Sequence, residues 1–238
     1  MNKIDSVTHI FFDLDGTLYN SKKLKLYISL KFFSQFFNLF KFFKLIRDFR
    51  LIYYYRRELE NLRDSKFNNM QNVFDTHIEK VSFKLNIKRE IVFKIINLWF
   101  NQIPLRYLSK CMPTYVQTTL SELKKRGYKL GILSDYLAID KLSSMKILTY
   151  FDSVVSSQDT ESNGYKPNNN GIKRLIKKTN AEAYQCCYVG DRKDCDVLTS
   201  HINNVLPILL STKHSQTFNN QTSYIKINSL KDLLTIFR

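Results

Sequence analysis

With 238 residues the chain can build one substantial core plus a smaller appended unit. A hydrophobic fraction of 44% and a charged fraction of 24% exclude the disordered and fibrous classes. The formal charge of +16, from 37 Lys and Arg against 21 Asp and Glu, points to an anionic partner (a phosphorylated small molecule, a membrane surface or nucleic acid), although abundant Lys, Asn, Ile, Phe and Tyr also reflect coding bias.

The N-terminus, MNKIDSVTHIFF, lacks the basic patch and following apolar stretch of about 7–15 residues that mark a signal peptide, so a cytoplasmic protein is expected. It runs straight into the first apolar run, HIFFDLDGT (9–17), which ends in two carboxylates, Asp13 and Asp15. In a strand, residues two apart share a face, and Gly16 permits a turn immediately afterward. Like charges this close at a buried strand end are costly unless a proton or a cation is shared between them. A hard divalent ion with oxygen ligands, such as Mg²⁺, is the natural compensation.

Residues 19–112 carry helical patterns and read as a helical insert. No acidic residue occurs from Gly16 to Arg47, and residues 21–60 hold ten Lys or Arg against three acids. Lys31, Gln35, Asn38, Lys41 and Lys44 form a narrow polar stripe at helical spacing, with Phe32, Phe33, Phe36, Phe37, Phe40, Phe42 and Phe43 on the wide apolar face. These polar residues interrupt the roughly 20 predominantly apolar residues that a membrane-spanning helix needs. The tract from Leu24 to Tyr55 is expected to pack within the insert, in preference to lying on a membrane or partner surface.

Beyond the insert, short apolar runs alternate with helical patterns. Helices are expected at about 114–126, 138–148, 168–179, 194–203 and 229–237, and strands within KLGILSD (129–135), DSVVSS (152–157), QCCYVGD (185–191) and LPILL (206–210). Continuous apolar character over so few residues suits strands buried on both faces, and the alternation implies an α/β, Rossmann-like, doubly wound parallel sheet. Ligands of such sheets bind beyond the carboxyl ends of the strands, where Asp13, Ser134 and Asp191 are placed to converge. By itself Ser134 reads equally as a turn or cap residue, and Asp135 as the cap of the next helix. Lys166 lies between Tyr165 and Pro167 in an extended, fixed loop. Cys111, Cys186, Cys187 and Cys195 form no CxxC pair, and His9, His77, His201 and His214 form no spacing pattern, so reduced thiols and ordinary core or surface histidines are expected.

DLDGT resembles the first signature of the haloacid dehalogenase superfamily, hydrophobic residues followed by DxDxT. Ser134 after LGIL matches the second signature and Lys166 in GYKP the third, while VGDRKDCD, with Asp191 and Asp196, is similar to the acidic fourth. The resemblance covers about 9–18 and 113–210 and implies a core of residues 1–18 and 113–238 with a helical cap at 19–112, as in the helical-cap phosphatase branch. Cys195 and Arg192 depart from the commonest family pattern, which carries Asn or Thr and Ser there.

The resemblance implies a magnesium-dependent phosphomonoesterase for small phosphorylated metabolites, with Asp13 as nucleophile and Asp15 as general acid and base. Thr17, Ser134 and Lys166 would hold the phosphoryl group. The metal would be held by Asp13, the backbone carbonyl of Asp15 and Asp191, with Asp196 orienting bound water and Asp194 competing for that acidic role. A phosphomutase shares every one of these motifs. A silent scaffold that uses the basic insert on a membrane or nucleic acid would not need them, and nucleic acid is not expected as a partner.

Overall fold

The computed structural model describes residues 4–33, 39–64, 72–162, 164–168, 170–211 and 224–238. Six parallel strands form one sheet: β1 (His9–Phe12), β2 (Lys129–Ser134), β3 (Ser153–Ser156), β4 (Cys186–Gly190), β5 (Leu206–Leu210) and β6 (Ile225–Ile227), in the order β3-β2-β1-β4-β5-β6. The expected five strands are present. The sixth, Ile225–Ile227, is an edge strand of three residues that alternates its burial too briefly to stand out in the sequence.

Among the described residues the segment after β1 carries α1 (Ser21–Phe33), α2 (Leu39–Asp64), α3 (Val73–Leu85), α4 (Arg89–Ile96), a π-helical run (Asn97–Gln102), α5 (Ile103–Leu105) and α6 (Leu108–Cys111). The remainder are α7 (Tyr115–Lys125), α8 (Ile139–Ser144), α9 (Asn170–Lys178), α10 (Leu198–Ile202) and α11 (Leu233–Ile236). Three of the expected helices are shorter than their patterns. The 138–148 pattern ends at Ser144, the 194–203 pattern opens with a π-helical turn (Lys193–Val197), and the 229–237 pattern opens with a 3-10 turn (Leu230–Asp232).

Strand alternation gives each sheet face its own core. Ile10, Phe12, Leu130, Ile132, Cys187 and Val189 face one way, toward α7, α8 and α11 through Leu120, Leu142 and Leu233. Phe11, Leu133, Cys186 and Tyr188 face the other, where Ile172 and Leu175 of α9 meet them. Both faces being covered explains why the strands read as unbroken apolar runs. All four cysteines are free and buried.

The insert has a core of its own. α2, α3 and α4 pack around Leu51, Tyr55, Ile78, Val92, Ile96 and Trp99, and Trp99 Nε1 donates to the buried Asp48 carboxylate at 3.1 Å. α3 starts at Asn72, whose side chain accepts the Asp75 N–H at 3.1 Å, and stops at Asn86, which takes the left-handed conformation at φ 52. His77, buried in this core, donates from Nε2 to the Tyr55 carbonyl at 2.8 Å, so its Nδ1 is the acceptor for the Tyr165 hydroxyl at 3.1 Å. Burial keeps this imidazole neutral, its pKa lowered to about 4. Tyr165 in turn packs with Leu59, Leu62 and Val73, so the insert rests directly on the residue preceding Lys166.

The aromatic-basic tract is divided. Leu24, Leu45, Leu51 and Tyr55 are buried, and Phe32 meets Phe49 and Trp99 edge-on or tilted. Leu26, Leu30, Ile46, Phe49 and Tyr53 face outward. Of the polar stripe, Gln35 and Asn38, with Phe36 and Phe37, lie outside the described residues, as do the side chains of Phe33, Phe40, Lys41 and Phe42. No described helix is long and apolar enough to cross a membrane.

Candidate active site

β1 ends at Phe12, so Asp13 begins the loop at the carboxyl end of an interior strand of the sheet. Its backbone N–H still donates to the Val189 carbonyl of β4 at 2.8 Å, which fixes the side chain between the two strands. Thr17 Oγ1 donates to Asp13 Oδ2 at 3.0 Å, and Lys166 Nζ donates to Asp13 Oδ1 at 2.6 Å. Gly16 makes this turn feasible: its φ is +109, and a Cβ there would lie 2.3 Å from Asp191 Oδ2.

Lys166 is the hub. Its Nζ also donates to Asp196 Oδ1 at 2.7 Å and to the Tyr188 hydroxyl at 3.1 Å, and that hydroxyl donates to the Leu133 carbonyl at 3.1 Å. Asp196 is brought in close because β4 ends in Gly190, where a Cβ would meet Asp196 Cγ at 2.3 Å. Asp194 points elsewhere, exposed and paired with Arg192. Of the two, Asp196 reaches the cluster and Asp194 does not.

Asp15 faces the same space from the other side. Its Oδ1 accepts Lys141 Nζ at 2.7 Å and the Tyr19 hydroxyl, and its Oδ2 accepts Ser134 Oγ at 3.3 Å. Ser134, at the end of β2, also accepts the Tyr136 N–H at 3.2 Å. Asp135 is not a helix cap, contrary to one sequence expectation. It is a buried acceptor for Ser157 Oγ at 3.1 Å, for the Lys166 N–H at 3.0 Å, and for the Arg63 guanidinium from α2. Burial opposes its charge, but Lys166 and Arg63 outweigh burial and hold its carboxyl below the usual range.

Arg63, Lys141, Tyr19 and Tyr188 had no sequence signal. Arg63 and Lys141 are two of 37 basic residues, and the tyrosines sit in ordinary amphipathic or apolar surroundings. Only the fold brings them to the strand ends.

Burial pushes the Asp13 carboxyl well above the usual carboxylate range against the pull of Lys166, and the neighbouring carboxylates Asp196, Asp191 and Asp15 push the same way. Burial disfavours the Lys166 ammonium, but Asp13 and Asp196 more than offset it and keep it protonated. Asp191 lies on the open side of the cluster; loss of water around its carboxyl and then the charge of Asp196 carry its pKa up to about 6. Asp13 and Asp191 are thus both pressed to give up their charge, as happens where a cation is expected.

The residues fit a divalent ion. One carboxylate oxygen each from Asp13, Asp191 and Asp196 lie within 4.8 Å of one another, a spread that a cation with oxygen ligands at about 2.0–2.6 Å can span. Three carboxylates against the single Lys166 ammonium leave two negative charges in excess, which a divalent cation would balance. Above this floor a cavity of about 620 Å³ opens between the strand ends and the insert, walled by α1, α2 and the segment around Phe100.

The sequence pattern of the haloacid dehalogenase-like hydrolases matches residues 10–208. Over 124 residues the chain is 32% identical to the glyceraldehyde 3-phosphate phosphatase of Methanocaldococcus jannaschii, a match covering 50% of this chain and 54% of that protein. The chain therefore spans about half the length of that curated relative. Among solved structures, an HAD phosphatase from Thermococcus onnurineus superposes with a TM-score of 0.64 at 21% identity, over 97% of both chains. A 2-haloacid dehalogenase from Pseudomonas syringae does so with a TM-score of 0.65 at 16% identity, also over 97% of both. A Bacillus subtilis HAD hydrolase bound to magnesium gives 0.66 at 13%, over 97% of this chain and 98% of that one.

Proposed function

The chain belongs to the haloacid dehalogenase-like hydrolase family, and from that premise we propose that it is a phosphomonoesterase working through an aspartyl-phosphate on Asp13. The observation that carries this reading is the single cluster made by Asp13, Asp15, Ser134, Lys166 and Asp196 at the ends of β1, β2 and β4. A dehalogenase needs no proton donor for its halide leaving group, so the second carboxylate, Asp15, favours an ester.

In this reading Asp13 attacks phosphorus and forms a new P–O bond as the ester P–O bond breaks. Asp15 gives its proton to the departing alkoxide, then takes one from the water that cleaves the aspartyl-phosphate. The two steps together release an alcohol and inorganic phosphate and restore both carboxyl groups. Lys166 and Ser134 supply the ammonium and hydroxyl donors for the equatorial oxygens, and Thr17 holds Asp13 in orientation through its 3.0 Å hydrogen bond. Magnesium held by Asp13, Asp191 and the Asp15 carbonyl, with Asp196 beside it, would add charge compensation at the phosphoryl oxygens.

Residues 19–112 serve in this reading as the cap, closing over the site to exclude water. The Methanocaldococcus relative, named for a three-carbon phosphate, supports a small phosphorylated metabolite as substrate. Free, buried thiols suit a reducing, cytoplasmic setting.

The test is hydrolysis of a generic aryl phosphate with Mg²⁺. Asp13→Asn should lower turnover by about 10³-fold or more, because the route through the covalent intermediate is gone. Undiminished turnover in that variant would sink the mechanism.

A further inference from the structure

The cations lining the cavity fall into two sets. Lys166, Lys141, Arg63 and Arg192 are each neutralised by a carboxylate within the protein. Lys25 of α1 and Arg56 and Arg57 of α2 also line the cavity and are exposed to it, and no carboxylate pairs with them among the described residues. Three unpaired positive charges on one wall are costly to bring together unless something negative is received there.

The space between the two sets is aromatic. Lys141, which holds Asp15, lies over the Tyr136 ring at 5.0 Å; Tyr136 stacks on Phe100 with ring centroids 5.3 Å apart; and the Arg56 guanidinium lies over Phe100 at 5.4 Å. A path thus runs from the reacting carboxylates across two stacked rings to an unpaired arginine. A simple phosphomonoester would place its phosphate on Lys166 and leave the far cations with nothing to bind, in a cavity of about 620 Å³.

Resting on the phosphatase reading, we infer that Arg56 and Arg57, with Lys25, determine specificity by receiving a second anionic group, a carboxylate or a further phosphate, at the far end of the leaving group. The rings of Phe100 and Tyr136 flank the carbon chain between the two anions. The substrates of this enzyme are then doubly anionic phosphomonoesters, and Arg56 and Arg57 are specificity residues that take no part in the bond changes.

The experiment compares kcat/KM, with Mg²⁺, for 4-phosphooxybutanoate, butane-1,4-diol bisphosphate and butyl phosphate. One or both doubly anionic esters should be preferred over butyl phosphate by about 10- to 100-fold, chiefly through KM, as a charge-assisted contact implies. Which of the two is preferred tells a carboxylate from a phosphate. Arg56→Gln combined with Arg57→Gln should collapse that preference toward unity. Equal kcat/KM for all three esters in the wild-type protein would overturn the inference and leave the phosphatase reading standing. A preference that survives the double variant would also overturn it, by showing that the second anion is met elsewhere. Hydrolysis of none of the three, nor of an aryl phosphate, would remove the phosphatase reading and this inference together.

Discussion

The two walls of the cavity are built on opposite terms. At the strand ends, Asp13 and Lys166 are 4% exposed and Asp196 is 2% exposed, and each is met by partners at hydrogen-bond distance. On the insert, Lys25, Arg56 and Arg57 are exposed and pair with no carboxylate among the described residues, and the Arg56 guanidinium lies over the Phe100 ring. Backbone hydrogen bonds of a parallel sheet can hold charged groups in fixed positions at low additional entropy, whereas long side chains on a helix surface remain adaptable. Under the proposed function, the contrast divides the work between fixed chemistry at the sheet and choice of ligand on the insert.

The largest stability effect should come from breaking the fixed wall. Lys166→Met leaves the buried Asp13 and Asp196 carboxylates without their shared cation, and metal-free protein should lose about 3–5 kcal/mol in urea unfolding at neutral pH. Part of that loss should be recovered near pH 5, where a carboxyl whose pKa is raised by burial can protonate. A change below about 1 kcal/mol would mean that this wall is no more rigid than the other.

A smaller effect sharpens the view of the insert. The His77 pKa is lowered to about 4 in the fold from 6.5, so below pH 6.5 the unfolded chain binds more protons than the folded one. The His77 contribution to stability should therefore be level above that pH and be lost as pH drops from 6.5 toward 4, by at most about 3 kcal/mol. His77→Gln should remove this component of the slope. An unchanged slope would place the pH sensitivity outside the insert's core.

The smallest effect concerns the surface contact between the walls. Glu60 of α2 receives Arg192 at 3.2 and 3.3 Å, in side chains 52% and 38% exposed. Glu60→Gln should cost under about 1 kcal/mol in unfolding midpoint, since exposed pairs are screened and entropically expensive. A larger loss would show that surface charge, more than packing around Tyr165, joins the insert to the core.

The strands were legible because β1 to β5 are short, apolar and flanked by turn residues, and the polar residues at their ends carried the site's first outline: Asp13, Asp15, Ser134 and Asp191. Lys166 was legible from its setting before Pro167. What escaped notice was set by tertiary geometry. Asp135 has the local look of a helix cap, yet the approach of α2 makes it an internal acceptor for Arg63. Lys141 lies in an unremarkable helical pattern, and only the placement of α8 over β2 brings it to Asp15. The aromatic-basic tract could not be divided into inward and outward halves from spacing, because its apolar face is wider than one packing contact needs.

Asp135 joins the two walls through one carboxylate, with Oδ2 facing Arg63 of the insert and Oδ1 accepting the N–H of Lys166. Interactions that share a partner are thermodynamically reciprocal. A coupling free energy between the contact of Arg63 and the loop bearing Lys166 has one value, whichever side it is measured from. One buried carboxylate thus ties a side chain of the insert to the loop that carries the ammonium shared by Asp13 and Asp196.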